Sequence, residues 1–141
     1  MTGDNKRKNI LAEVARGDDA LREAEILLAA SMRTGAVSRV CYAAFHYARA
    51  VLLTLGEEAR THGGLTRLLF RDLVGDGKLD PDVAKLFSQL QRFRQDADYT
   101  AEFVFTLDGA TLEVEHARTF VTAAKALLEH DGWIASPAVG A

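Results

Sequence analysis

The sequence predicts an all-α fold, an antiparallel up-and-down helical bundle of four long helices and one short one. Prolines are confined to Pro81 and Pro137, while alanine and leucine abound. Apolar residues recur at spacings of three and four rather than two. The stretches between periodic segments are short, as between antiparallel neighbours. With 141 residues, 48% apolar and 26% charged, residues 1–141 read as one ordinary globular domain with enough apolar side chains for a core.

The first helix is expected over about Asp4–Arg33, with Ile10, Leu11, Val14, Leu21, Ala24, Leu27 and Leu28 on its apolar stripe. Gly17 interrupts it at about 1 kcal/mol relative to alanine. The stripe continues in phase beyond the glycine, so the segment reads as one helix. Thr34 and Gly35 read as its stop signal. A second helix should run from Ala36 to about Leu55, before Gly56. The loop "GEEARTHGG" follows, then a third helix over about Leu65–Val74, stopped by "GDGKLD". Asp80 is a good N-cap and Pro81 suits the first helical position, opening a fourth helix that reaches about Tyr99. In "TAEFVFTLDGAT", Phe103, Val104 and Phe105 read as one extended turn. The last helix is expected over Ala110–His130, burying Leu112, Val114, Phe120, Val121, Ala124 and Leu127, and ending at Gly132. Trp133 should cover the bundle end, with a loose tail from about residue 134.

Composition excludes several classes. A net charge of −3 and a pI near 5.8 disfavour a general nucleic-acid binder, so any such site must be a local basic patch. The single cysteine, Cys41, permits no intrachain disulfide and reads as a small buried hydrophobe. The N-terminal "MTGDNKRKNI" has no signal-peptide core, and no stretch approaches the roughly 18 apolar residues of a membrane span. A cytoplasmic protein without a membrane partner is expected. No CxxC or HExxH arrangement joins His46 and His62, so neither a metal nor a cofactor is expected. His116 and His130 read as surface or interface residues.

The least polar stretch, "SRVCYAAFHYARAVLL" from Ser38 to Leu53, carries Arg39, His46 and Arg49. At about 100° per residue, Arg39 and His46 lie within about 20° of each other on a helix. Tyr42 and Arg49 flank the same line, and Val40, Ala44 and Val51 occupy the opposite side. The stripe is either a solvated line of arginine stems over apolar neighbours or one wall of a site. His62 falls in the glycine-rich "THGG", where backbone can approach a ligand. "RFRQDADY" ends the fourth helix with Arg92, Arg94, Asp96, Asp98 and Tyr99. Arg94 and Asp98, four apart, can pair along the helix. Asp96 and Asp98 sit in the helix half that disfavours anions, so a cation, Arg39 or Arg49, is expected to face them.

Together these stretches resemble the HEPN domain family, specifically its small stand-alone bacterial and archaeal members. The residues carrying the resemblance are Ser38, Arg39, Tyr42, Ala43, Phe45, His46, Ala48, Ala50, Leu52 and Leu53, then His62 and Gly64, then Arg94, Asp98 and Tyr99. It covers about residues 5–130. The resemblance implies a helical bundle that forms a homodimer, with a polar cleft between the second and fourth helices. It also implies a nucleotidyltransferase partner in a toxin–antitoxin or other defence system. Active members of the family are metal-independent RNases that use an arginine and a histidine separated by four to six residues. Here the corresponding positions are Tyr99, Thr100 and Ala101 after Arg94, and Ala97, Asp98 and Tyr99 after Arg92, with no histidine. In some relatives a tyrosine ending that motif is adenylylated by the partner, and Tyr99 is the nearest equivalent.

Three functions follow. The first is an interaction and regulatory module acting with a nucleotidyltransferase or another defence protein, with little or no catalysis of its own. The second is a divergent RNase whose cleft gathers Arg39, His46, Arg49, His62 and Arg94, with a histidine taking the 2′-hydroxyl proton and arginines stabilising the phosphorane. In that case Arg94, His46 and His62 are the catalytic residues. The third is a sensor binding a nucleotide or other phosphate ligand. Its site would join the His62-Gly63-Gly64 stretch to the arginines. The wider candidate cleft comprises Arg39, Tyr42, His46, Arg49, His62, Arg92, Arg94 and Asp98.

Overall fold

The computed structural model describes residues 3–99 and 104–135, with the side chains of residues 96 and 97 outside the description. It contains α1 (Gly3–Ala29), α2 (Arg33–Thr54), α3 (His62–Leu68), α4 (Pro81–Tyr99) and α5 (Leu107–His130). A π-helical turn, Leu69–Val74, extends α3. The fold is the expected all-α bundle. Among the described residues no helix is long and apolar enough to cross a membrane.

Helix α2 is the centre of the bundle and packs against α1, α3, α4 and α5. Its sequence explains this position. Ala36, Ala43, Ala44, Ala48 and Ala50 are all fully buried, and such small residues let neighbouring helices come close. Val40, Tyr47, Leu52 and Phe87 and Leu90 of α4 join Val114, Phe120 and Leu128 of α5 in the core. Helix α1 runs antiparallel to both α2 and α5. Glu23 meets Arg39 while Glu13 meets His46, and Glu25 meets Arg118 while Asp18 meets Lys125.

Gly17 is helical, as its in-phase stripe requires, and it is buried. A Cβ there would lie 2.6 Å from the Tyr47 ring, so the glycine admits the ring between α1 and α2. The Tyr47 hydroxyl donates to Asp18 at 2.5 Å.

The first two helices meet earlier than the sequence suggests. Thr34 and Gly35 are not a stop but part of α2. The turn is at Ser31, whose φ of 61° places a non-glycine residue in the left-handed region. The Ser31 N–H donates to Leu28 and the Met32 N–H to Leu27, which is a Schellman closure. The same paired bonds end α2 at Gly56, the π-helical turn at Gly77 and α5 at Gly132, each a glycine with positive φ.

Two helices start earlier than expected for one shared reason. Thr61 and Thr106 are N-caps whose side chains accept the N–H groups of Gly64 and Gly109. In "THGG" and "TLDG" the glycines therefore lie in first helical turns, not in loops. Asp80 caps α4 as expected, accepting the Asp82 N–H at 2.7 Å.

Leu112 does not belong to the buried face of α5 and is 49% exposed. Val104 is exposed and Phe105 buried, and the Phe105 carbonyl accepts a hydrogen bond from Arg33. Phe103 lies outside the described residues. Trp133 and Ile134 pack against the core, and Lys6 and Arg7 of α1 lie over the Trp133 ring. Most of the expected loose tail, residues 136–141, lies outside the described residues.

Candidate functional site

The polar stripe of α2 emerges where that helix leaves the core, and it faces α1. Arg39 Nη1 donates to Glu23 Oε2 at 2.9 Å. His46 Nδ1 lies 2.7 Å from Glu13 Oε2, and Arg49 Nε 3.5 Å from Glu13 Oε1. The side chains of His46 and Glu13 are only 17% and 14% exposed. The expectation that Arg39 or Arg49 faces Asp96 or Asp98 is thus corrected for Asp98. Helix α1 lies against this side of α2 and supplies carboxylates at matching heights.

Helix α4 meets the stripe at Tyr42. Arg94 Nη2 donates to the Tyr42 hydroxyl at 2.8 Å, and Arg94 Nε to Asp98 Oδ2 at 3.3 Å. The guanidinium carbons of Arg39 and Arg94 lie 4.6 and 4.4 Å from the centre of the Tyr42 ring, within cation–π range. Arg39, Tyr42, Arg94 and Asp98 therefore converge.

Arg92 does not join them. Two residues on a helix diverge by about 200°, and Arg92 lines grooves between α4 and its neighbours α3 and α5 instead. Tyr99 stands at the end of α4, 78% exposed.

His62 departs most from the sequence reading. It is the buried first residue of α3, not part of an open loop. Its ring stacks on Phe87 at 5.1 Å and tilts against Phe45 at 4.9 Å. Neither ring nitrogen has a hydrogen-bond partner among the described residues. Burial, and then the positive charge of Arg94, lower its pKa to about 4, so the ring is neutral at pH 7. Gly63 and Gly64 are helical, and the Gly64 N–H is taken by Thr61 Oγ1 at 3.0 Å. His62 is thus a packing residue and Gly64 a capped one, whereas Gly63 is exposed beside the groove that Arg92 lines.

Between α1 and α2 lies an open groove of about 430 Å³, lined by Arg16, Asp19, Glu23, Arg39, Tyr42 and His46 among others. Glu13 fixes the orientation of the His46 ring through Nδ1. Glu13 and Arg16 lie off the apolar stripe of α1, and nothing local in the sequence marks them as neighbours of His46. The antiparallel register of α1 and α2 was the signal that could have found them. Cys41 Sγ donates to the Leu90 carbonyl at 2.9 Å, and burial pushes the thiol pKa up to about 12. Such a thiol is a packing group rather than a nucleophile. Among the described residues no three His, Cys, Asp or Glu side chains converge on a metal position.

Comparison with known proteins adds a family match. The HEPN domain model matches residues 13–131. A UPF0332 protein of Thermotoga maritima is 27% identical over 114 residues, covering 81% of this chain and 86% of that protein. A Methanocaldococcus jannaschii protein named "Putative toxin" is 29% identical over 96 residues, covering 68% of this chain and 72% of its own length. A UPF0332 protein of Archaeoglobus fulgidus is 34% identical over 95 residues, covering 64% and 75% of the two chains.

Proposed function

The chain belongs to the HEPN domain family, and from that premise we propose that it is a regulatory interaction module of a toxin–antitoxin or defence-type system. It acts as a homodimer, with a nucleotidyltransferase or another defence protein as its partner, and it cleaves RNA poorly on its own. The names of two Methanocaldococcus jannaschii relatives, each called a "Putative toxin", support the setting.

One observation carries the low activity. Arg94 has a tyrosine and an aspartate as its partners and no histidine. The nearby His62 is buried and neutral, and its nitrogens are packed between phenylalanine rings. Losing a positioned acid or base costs about 10²–10⁴-fold in rate. An aspartate near neutral pH has already lost the proton it would have to donate. The exposed Tyr99 hydroxyl is accessible to a partner enzyme, which supports its role as an adenylylation site.

The test is incubation of purified protein with RNA in EDTA, with light scattering on the same sample to establish the dimer. The expected result is a dimer that cleaves RNA no faster than its His46→Ala and Arg94→Ala variants. Efficient cleavage abolished by both substitutions would overturn this reading. It would favour a divergent RNase, for which the Glu13–His46 pair beside Arg16 and Arg39 is the supporting geometry. Mass spectrometry after incubation with ATP and a nucleotidyltransferase encoded beside it tests Tyr99 separately.

A further inference from the structure

On the side of α4 that faces α5, one carboxylate lacks an adequate partner. Glu113 is 4% exposed, and its Oε2 is buried without a hydrogen bond. Its only ion-pair partner among the described residues is His116, whose Nδ1 lies 3.5 Å from Oε1 and is itself unsatisfied. Burial raises the pKa of this carboxyl. Buried polar groups are almost always hydrogen-bonded, and a buried charge short of partners is strongly unfavourable. Such a group calls for a partner, and none of the described residues supplies it.

The surroundings of Glu113 indicate what that partner is. The residue lines a groove of about 270 Å³ with Gln89, Arg92, Phe93, Leu112 and His116. Phe93 and the half-exposed Leu112 offer apolar walls. An aliphatic stem ending in a planar cation fits such a path, and that is the anatomy of arginine. A guanidinium presents its N–H groups as a planar fork, so it can donate to the Glu113 carboxylate from the groove side. Arg92 does not fill this role, because it is exposed and makes no ion pair among the described residues. The chain's net charge of −3 favours approach of a basic segment.

We propose that the α4–α5 groove receives an arginine side chain of a partner protein, its guanidinium on Glu113 and its stem along Phe93 and Leu112. The site is distinct from the Arg94–Tyr42 cluster and does not depend on whether the chain cleaves RNA.

The test is an NMR titration of isotope-labelled protein with the peptide acetyl-Gly-Arg-Gly-amide. The same peptide with citrulline, a neutral isostere of arginine, is the control. Saturable shifts of the Glu113 carboxyl and His116 ring signals are expected with the arginine peptide. Binding of the citrulline peptide should be at least about tenfold weaker, as loss of a charge-assisted pair implies. Glu113→Gln should remove the preference for arginine. Leu112→Ala, at a half-exposed position, should weaken binding several-fold without disturbing the fold. Equal responses to the two peptides, or no response of Glu113 and His116 at millimolar peptide, would overturn the proposal. The citrulline comparison uses the wild-type chain, so it decides the matter even if Glu113→Gln fails to fold.

Discussion

Replacing Gly17 with alanine sets two effects of opposite sign against each other. In a solvent-exposed helix interior, Gly→Ala stabilises by about 1 kcal/mol. Here the new Cβ would lie 2.6 and 2.7 Å from Tyr47 Cδ2 and Cε2, and 3.4 Å from the Ala43 carbonyl oxygen. Carbon atoms pack at about 3.5–4.0 Å, so roughly 1 Å must be found. The Tyr47 ring cannot readily provide it. The ring is fully buried, and its hydroxyl is bonded to Asp18, which also pairs with Lys125 at 3.4 Å. Helix α1 must therefore lift from α2. Overpacking of this kind costs about 1–3 kcal/mol, which outweighs the propensity gain at most of that range. The expected net result is a loss of about 1 kcal/mol. Urea denaturation followed by circular dichroism reads it as a midpoint lowered by about 0.5 M, taking m as about 2 kcal/mol/M. In a Tyr47→Ala background the clash is gone, and the same substitution should instead stabilise. A midpoint that rises in the otherwise wild-type chain would refute the close approach of α1 to the ring.

His62 should make stability depend on pH. Its folded pKa, about 4, lies below the ordinary 6.5. Between those values the unfolded chain binds the extra proton. Its contribution is therefore complete above pH 6.5 and is lost as the pH falls toward 4, by up to about 3 kcal/mol. Urea midpoints of wild type and His62→Leu, compared from pH 7.5 to 4.5, should show a shallower acid decline in the variant, and parallel declines would contradict the assignment. Glu13→Ala should destabilise by about 1–3 kcal/mol, because the largely buried carboxylate is the acceptor for the largely buried His46 and also pairs with the more exposed Arg49. Glu23→Ala removes a more exposed pair with Arg39 and should cost less than about 1 kcal/mol. Equal losses in thermal or urea unfolding would mean that the two pairs are equally solvated.

Much of the fold was legible because long helices write their period into the sequence many times. The in-phase stripe across Gly17 outweighed the local penalty, and Asp80–Pro81 specified a start through side-chain chemistry. Boundaries failed where one residue type has two uses. Glycine both ends helices and sits harmlessly after a threonine cap, as at Gly64 and Gly109. Serine rarely closes a Schellman turn, since the left-handed region costs a non-glycine residue about 1–2 kcal/mol. Nothing local at Ser31 advertised the turn, whereas Thr34 and Gly35 looked like one.

The site was legible within each helix and obscure between helices. Periodicity aligned Arg39, Tyr42, His46 and Arg49, and i,i+4 spacing paired Arg94 with Asp98. Which neighbour each side chain meets depends on interhelical register. Arg39 and Arg49 were free to be matched to α4 until α1 supplied Glu23 and Glu13 at the right heights. Once those pairs form, Arg39 and Arg49 are paired with carboxylates of α1 and Arg94 with Asp98 of its own helix, and Arg39 and Arg94 both lie against Tyr42. The same logic separates the histidines. His46 keeps a carboxylate and faces a groove, whereas His62 is enclosed by aromatic rings that no spacing rule connects to it. A histidine deprived of both water and partners holds no proton at neutral pH. The two imidazoles that look alike in the sequence therefore have different surroundings, a carboxylate and a groove for His46 and packed aromatic rings for His62.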